Sequence, residues 1–218
     1  MRELRFINAA IFDLDGTLLD SSPVWDGLGE RFLARRGIAP KPGLNALLNL
    51  MSLTEGCEFL HEEYALPDSP AEIRAEICGI IADFYRLECP LKPGAEQLLR
   101  ELHRRGIALV IATAGDKALS QAALERLGVL ELFRGIVTCA EFGSKERPKI
   151  FLKAAELAGS GLENTAVFED SLRGVVTAKA LGFLTAAVAD EAEPRQIQLR
   201  QTADYFRQNL GEYIELFT

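Results

Sequence analysis

Residues 9–17 of the chain have the sequence AAIFDLDGT, and this stretch decides the fold. The apolar run Ala9–Phe12 is followed at once by two aspartates and a glycine. A short apolar run that stops at a polar turn is typical of a buried strand in a parallel sheet. Ligands of such sheets bind beyond the carboxyl ends of the strands. The residues after Phe12 are therefore the first place to look for chemistry.

The remaining sequence alternates between strand-like and helical patterns, with one interruption. Further strand-like runs occur at residues 107–112, 135–138, 165–168, 184–188 and 203–206, with helical segments between them. This alternation predicts an α/β fold with a parallel sheet and right-handed crossovers. From residue 23 to residue 89, by contrast, apolar residues recur only at helical spacing. We therefore predict a sheet-containing core, residues 1–22 and 90–218, interrupted by an all-helical insert at 23–89.

Composition and charge narrow the class of protein. The chain has 218 residues, of which 48% are hydrophobic and 26% charged, as in soluble globular proteins. A net charge of -8 without any Lys/Arg block argues against a nucleic-acid partner. No apolar run approaches the roughly 18 residues of a membrane span, so we expect no membrane partner. The apolar start is cut short by Asp13, which is unlike a signal peptide, and a cytoplasmic location is expected.

Two further expectations concern cysteines and assembly. Four cysteines lie far apart and form no C-x-x-C pair, so we interpret them as buried thiols; they are Cys57, Cys78, Cys89 and Cys139. We expect a monomer or a weak homo-oligomer.

Two strand ends carry groups that could bind or attack a phosphate. Asp13 and Asp15 follow the first strand, and a tight turn at Gly16 can aim both carboxylates at one point. The run 107–112 is followed by Thr113 and by exposed amides, including that of Ala114, at a helix start, which suits an anion. A polar turn with an N-cap would also account for the first segment, and a plain N-cap at Asp116 would account for the second.

The next two strand ends carry a lysine and a pair of acids. Lys145 follows the run 135–138, and a solvated loop charge is its ordinary alternative. Glu169 and Asp170 follow the run 165–168, and adjacent carboxylates suit a hard cation, although they would equally cap a helix.

Taken in order, the four strand ends resemble the four motifs of the haloacid dehalogenase-like superfamily, over nearly the whole chain. The motifs stand here as 11–17 (IFDLDGT), Thr113, Lys145 followed by 148–151 (PKIF), and 167–171 (VFEDS). The resemblance implies a Rossmann-like core, and the helical insert falls where the type 1 cap of this superfamily belongs. The group most resembled is that of the beta-phosphoglucomutases and phosphoglycolate phosphatases.

The resemblance also implies roles for the motif residues. Asp13 would attack phosphorus and carry it as an aspartyl phosphate, and Asp15 would act first as acid and then as base. Thr113 and the Ala114 amide would hold the phosphate, while Lys145 would balance the charge on the transferred group.

Magnesium is the cofactor that the resemblance implies. Its expected ligands are Asp13, the Asp15 carbonyl and Asp170, with Glu169 as helper. The implied function is a Mg²⁺-dependent phosphomonoester hydrolase that acts on a small phosphorylated metabolite.

Other assignments share parts of this pattern. Relatives place a proline directly after the motif lysine, and this chain does not; Lys145 is still favoured over Lys149 because of its spacing from the following helix. A beta-phosphoglucomutase-like phosphomutase is the main alternative, but those enzymes carry a histidine where this chain has Trp25. A dehalogenase of the same superfamily uses the first aspartate on carbon and needs no acid two residues later, so the presence of Asp15 argues against a dehalogenase. An aspartyl-phosphate signalling or scaffold protein is the alternative from another class, but a signalling domain would be shorter and lack a helical insert.

Overall fold

A six-stranded parallel sheet forms the centre of the larger part of the chain. The computed structural model describes residues 3–48 and 50–217. The strands are β1 (Ala9–Phe12), β2 (Ala108–Thr113), β3 (Phe133–Thr138), β4 (Thr165–Glu169), β5 (Leu184–Val188) and β6 (Tyr205–Arg207). Their order is β3-β2-β1-β4-β5-β6, and each neighbouring pair is parallel. The predicted α/β fold with a parallel sheet is confirmed.

The helices fall into an inserted set and a set that alternates with the strands. The inserted helices are α1 (Ser22–Trp25), α2 (Leu28–Arg35), α3 (Leu44–Leu48), α4 (Leu53–Glu63) and α5 (Pro70–Leu87). The others are α6 (Ala95–Arg104), α7 (Lys117–Arg126), α8 (Cys139–Phe142), α9 (Lys149–Ala158), α10 (Leu172–Leu181) and α11 (Gln196–Thr202). 3₁₀ helices lie at Leu4–Phe6, Leu130–Leu132, Leu162–Asn164 and Leu210–Phe217.

Contacts within the chain divide it into two compact units. The sheet unit contains the residues up to Asp20 and from Cys89 on, and the helical unit is Ser21–Glu88. The sequence placed these two boundaries after residues 22 and 89.

Side chains of the central strands alternate between two apolar layers. Ile11 packs in the same cluster as Phe151 of α9 on one face of the sheet. The next residue, Phe12, stacks on Phe168 with ring centroids 4.4 Å apart, and Phe168 meets the edge of Tyr213. Strands β1, β2, β4 and β5 are buried along their length, as expected for a sheet covered on both faces. This packing fixes the strand ends that carry the polar residues.

Strand β6 begins later than the sequence predicted. The prediction was 203–206, but residues 203 and 204 precede the strand. The Asp204 carboxylate accepts hydrogen bonds from the N–H (2.9 Å) and the hydroxyl (2.8 Å) of Thr185, and the Lys179 ammonium lies 2.9 Å from it. Asp204 therefore anchors the turn before β6 through its side chain.

The reading of all cysteines as buried thiols is wrong for Cys78. Cys57 and Cys89 are buried and Cys139 is partly buried, but Cys78 is exposed. The buried residues of α5 include Ile73, Ile77 and Ile80, so the position after Ile77 falls on the outward face of the helix.

Within the described residues, no helix combines the length and the apolar character needed to cross a membrane.

The helical unit has well-defined helix starts and a mostly apolar cavity. Reciprocal hydrogen bonds between Ser52 and Glu55 open α4, and Ser69 with Glu72 opens α5 in the same way. A cavity of about 240 Å³ is lined mainly by apolar residues of this unit, with Trp25 among them.

Candidate active site

The predicted site residues lie at or just after the carboxyl ends of strands β1, β2 and β4, together with a lysine from the loop before α9. Asp13 directly follows β1 and is buried, and its N–H donates to the Phe168 carbonyl at 2.9 Å. The sheet pairing of β1 with β4 therefore continues into Asp13 and fixes its backbone. Thr113 and Glu169 are the last residues of β2 and β4 rather than loop residues.

The turn after β1 needs a glycine for two separate reasons. Gly16 has φ +83°, a conformation that residues with a Cβ rarely adopt. A Cβ at this position would also lie 2.5 Å from Oδ2 of Asp170. The neighbouring Thr17 hydroxyl donates to Oδ1 of the same carboxylate at 2.8 Å. The turn after β1 and the acid after β4 thus fit against each other directly.

Three buried carboxylates meet at this edge of the sheet. Asp13, Glu169 and Asp170 each present a carboxylate oxygen, and these oxygens lie within 4.8 Å of one another. Burial, together with the negative charges of Asp13 and Glu169, raises the pKa of Asp170 well above its usual range. Burial likewise raises the pKa of Glu169, although Lys145 opposes this shift. A hard divalent cation would relieve this repulsion through oxygen ligands, so the three residues fit a metal site.

Lys145 supplies the positive charge beside this cluster. Its ammonium forms ion pairs with the carboxylates of Asp13 and Glu169, the second at 2.6 Å. Burial alone would lower the pKa of Lys145, but the two carboxylates raise it above its usual value. Lys149, the weaker candidate from the sequence, is exposed and its ammonium lies 6.0 Å from the centre of the Phe142 ring.

The loop after β2 meets Asp15 at Gly115. The buried Thr113 hydroxyl oxygen accepts a hydrogen bond from the Gly115 N–H at 2.9 Å. A Cβ on Gly115 would lie 3.1 Å from Oδ2 of Asp15 and 3.2 Å from Oγ1 of Thr113. Ala114, the other predicted phosphate-binding residue, is exposed between them. The second aspartate and the predicted phosphate-binding loop are therefore brought together.

Glu169 is held by contacts that the sequence did not predict. Its Oε2 accepts hydrogen bonds from the N–H (2.8 Å) and the hydroxyl (2.9 Å) of Ser171, and its Oε1 faces Lys145. Space for this carboxylate exists because α10 has a glycine at Gly174, where a Cβ would lie 2.5 Å from the Glu169 Cδ. A glycine inside a helical pattern just after an acidic pair is the sequence signal that points to this contact.

Comparison with known proteins gives a family match and similar relatives. Residues 7–182 match a family model described as a haloacid dehalogenase-like hydrolase. Hexitol phosphatase A of Escherichia coli (strain K12) is 30% identical over 193 residues, which cover 84% of this chain and 83% of that protein. The bifunctional riboflavin kinase/FMN phosphatase of Arabidopsis thaliana is 28% identical over 200 residues. That alignment covers 90% of this chain and 52% of the plant protein, so this chain spans about half its length.

A solved structure shares the fold. A candidate beta-phosphoglucomutase from Thermotoga maritima superimposes with a TM-score of 0.84 and 24% identity, over 96% of this chain and 98% of that one. At this level of identity the likeness concerns the fold alone.

The close packing of Glu169 against Gly174 can be tested by thermal unfolding. Gly174→Ala places a methyl group against the carboxylate, and overpacking of this kind costs about 1–3 kcal/mol, so we expect a lower Tm. The matched control is Gly79→Ala, at an exposed position inside α5 where a Cβ meets nothing within 4 Å. That variant should gain about 1 kcal/mol, because alanine is the better helix former, and its Tm should rise. An equal rise in Tm for both variants would mean that the Glu169 side chain moves aside without loss of stability.

Proposed function

The chain belongs to the haloacid dehalogenase-like hydrolase family, and on this premise we propose that it is a Mg²⁺-dependent phosphatase acting through an aspartyl phosphate on Asp13. One observation carries the proposal: the Asp13 carboxylate pairs with Lys145 and clusters with Asp170 at the end of β1. The substrate class is small phosphorylated metabolites, in keeping with relatives named as phosphatases of a hexitol phosphate and of FMN.

Asp13 is the nucleophile of the proposed reaction. One of its carboxylate oxygens attacks phosphorus, a new P–O bond forms, and the ester P–O bond of the substrate breaks. In the second step water attacks the same phosphorus, and the bond to Asp13 breaks to release inorganic phosphate. Two easier steps thereby replace one difficult hydrolysis.

Asp15 moves the protons in both steps. In the first step it gives its proton to the departing alkoxide, and in the second it takes a proton from the attacking water. A Cβ on Gly115, in the loop after β2 that carries the proposed phosphate-binding groups, would lie 3.1 Å from Oδ2 of Asp15. The Asp15 carboxylate is therefore close to the groups that would orient the ester.

Thr113, the Ala114 amide and Lys145 are proposed to hold the phosphoryl group. The hydroxyl oxygen of Thr113 already accepts from the Gly115 N–H, and its own proton is suited to donate to a phosphate oxygen. The charged Lys145 balances the negative charge of Asp13 and of the transferred group, in a buried setting where that interaction is strong.

The proposed holders of Mg²⁺ are Asp13, the Asp15 carbonyl and Asp170, with Glu169 as helper. When bound, the ion supplies positive charge that lets an anionic carboxylate approach an anionic ester. Since Glu169 also accepts hydrogen bonds from Lys145 and Ser171, its further part is to hold the lysine in place.

Removal of metal should abolish activity. In excess chelator we expect no turnover of an aryl phosphate, because Asp13, Asp170 and the phosphate otherwise repel one another, and added Mg²⁺ should restore it. Ca²⁺ should inhibit, since its larger and looser coordination shell misplaces the nucleophile. Release of phosphate, followed colorimetrically, measures each case. Full activity in excess chelator would contradict the metal requirement.

Substitution of Asp13 and substitution of Asp15 should have different effects on the covalent phosphorylation of the protein. Asp13→Asn removes the nucleophile, so no phosphoryl group should attach to the protein. Asp15→Asn keeps the nucleophile but loses the acid and base, so an activated aryl phosphate should label Asp13 while hydrolysis of the intermediate is impaired. Intact-protein mass spectrometry after an acid quench should show one added phosphoryl group on the Asp15 variant only.

The proposed role of Asp15 also predicts how these variants act on an alkyl phosphate. With an alkyl phosphate, whose leaving group needs a proton, Asp15→Asn should be slow in both steps. Normal turnover of alkyl phosphates by this variant, or equal labelling of the Asp13 variant, would refute the division of roles.

A phosphatase is proposed here rather than a phosphomutase because Trp25 stands where beta-phosphoglucomutases carry a histidine. Trp25 is 52% exposed and lines the mostly apolar cavity of the helical unit. Incubation with beta-glucose 1-phosphate and a trace of the bisphosphate separates the two activities. We expect free phosphate to appear faster than glucose 6-phosphate, and the reverse order would favour the mutase.

A further inference from the structure

We propose that Lys92 is a positioning residue that clamps the turn carrying Asp15 to the segment after β5. Lys92 lies in the connector through which the chain re-enters the sheet unit after the helical unit. The effect on catalysis rests on the proposed function, but the clamp itself does not.

The Lys92 ammonium is shared among three oxygen acceptors from two distant parts of the chain. It donates to the Gly16 carbonyl at 2.8 Å, to the Ala189 carbonyl at 3.0 Å and to Oδ2 of Asp190 at 2.6 Å. An ammonium has three N–H groups, so these contacts use all of them. The side chains of Lys92 and Asp190 are only 13% and 5% exposed. A lysine at this depth is retained only with such partners.

The backbone of the connector is joined to the same turn. The Lys92 N–H donates to the Leu18 carbonyl at 2.8 Å, and Leu19 forms an antiparallel bridge with Leu91. The far side of the turn is thus held by main-chain bonds, while its tip at Gly16 is held by the Lys92 side chain.

The other end of the clamp is rigid as well. The second oxygen of Asp190 accepts from the Ala192 N–H at 2.9 Å, and the Asp190 carbonyl accepts from the Gln196 side-chain amide at 2.5 Å. These two hydrogen bonds fix Asp190 independently of Lys92, so its carboxylate can hold the ammonium in one place.

The clamp bears on chemistry because Gly16 directly follows Asp15. The N–H of Gly16 donates to the Leu19 carbonyl at 3.0 Å and its carbonyl accepts from Lys92, so the peptide groups on both sides of Gly16 are fixed. The first of these peptide groups contains the Asp15 carbonyl, so the hydrogen bonds around Gly16 hold that carbonyl in its direction. Loss of the ammonium would leave the Gly16 carbonyl without its cation and allow the turn to rotate away from Asp170.

A merely structural ion pair is the competing explanation, and a double variant separates the two. Removing one member of a buried pair destabilises a protein strongly, whereas replacing both members by apolar residues is often neutral. Lys92→Met combined with Asp190→Leu should therefore regain most of the Tm lost in Lys92→Met alone. The clamp remains absent in both variants.

Three measurements on these variants test the proposal: Mg²⁺ binding by titration calorimetry without substrate, hydrogen exchange of residues 14–19, and kcat/KM for an aryl phosphate. The matched control is Lys179→Met, because Lys179 likewise binds one carbonyl, of Thr202 (2.6 Å), and one carboxylate, of Asp204 (2.9 Å). Loss of a residue that supports metal ligands typically costs about 10- to 100-fold in metal affinity or activity.

We expect Lys92→Met and the double variant to show Mg²⁺ affinity and kcat/KM lowered by about 10-fold or more, with faster exchange in the turn. Lys179→Met should match the wild type in all three. Wild-type exchange and Mg²⁺ affinity in the refolded double variant would overturn the proposal, and this variant decides if Lys92→Met alone fails to fold. Should the wild type neither bind Mg²⁺ nor hydrolyse the ester, the proposed function fails, while exchange in the turn still decides whether Lys92 is a clamp.

Discussion

Crowding of like charge at one edge of the sheet is the constraint on which the rest of the site depends. Asp13, Glu169 and Asp170 are buried within a few ångströms of one another, and each carboxylate makes ionisation of the others more costly. Such an arrangement persists only when positive charge and hydrogen-bond donors compensate it. In the sheet unit Lys145 provides the charge, and Ser171 and Thr17 provide donors. A divalent cation would complete the balance.

Two glycines, which have no side chain, are as important to this site as its charged residues. Gly16 lets the turn after β1 pass against Asp170, and Gly174 lets the start of α10 pass against Glu169. In both places the atom that a Cβ would strike belongs to a carboxylate of the cluster. The backbone therefore approaches these carboxylates closely enough to fix their positions.

Residues outside the carboxylate cluster also support the site. They lie in the segment after β5 and in the connector that follows the helical unit. Lys92 and Asp190 form a second buried ion pair of the sheet unit, with two backbone carbonyls as further acceptors. Like the Lys145 cluster, it pairs an ammonium with a buried carboxylate, but its other acceptors are backbone carbonyls rather than a second carboxylate. It links the turn after β1 to a strand that contributes no predicted catalytic residue.

The sequence by itself determined the parallel α/β fold and the residues that meet at the strand ends, because these depend on local patterns. The run AAIFDLDGT predicted a buried strand followed by two acids, and alternation after residue 94 predicted the remaining strands to within a few residues. Tertiary structure alone decided the start of β6, the atoms that lie against Gly174 and the partners of Lys92. Lys92 and Asp190 stand 98 residues apart, in a connector and a loop without periodic pattern. They meet only because β5 lies next to β4 and β4 next to β1, an order set by the packing of the whole sheet and by no local signal.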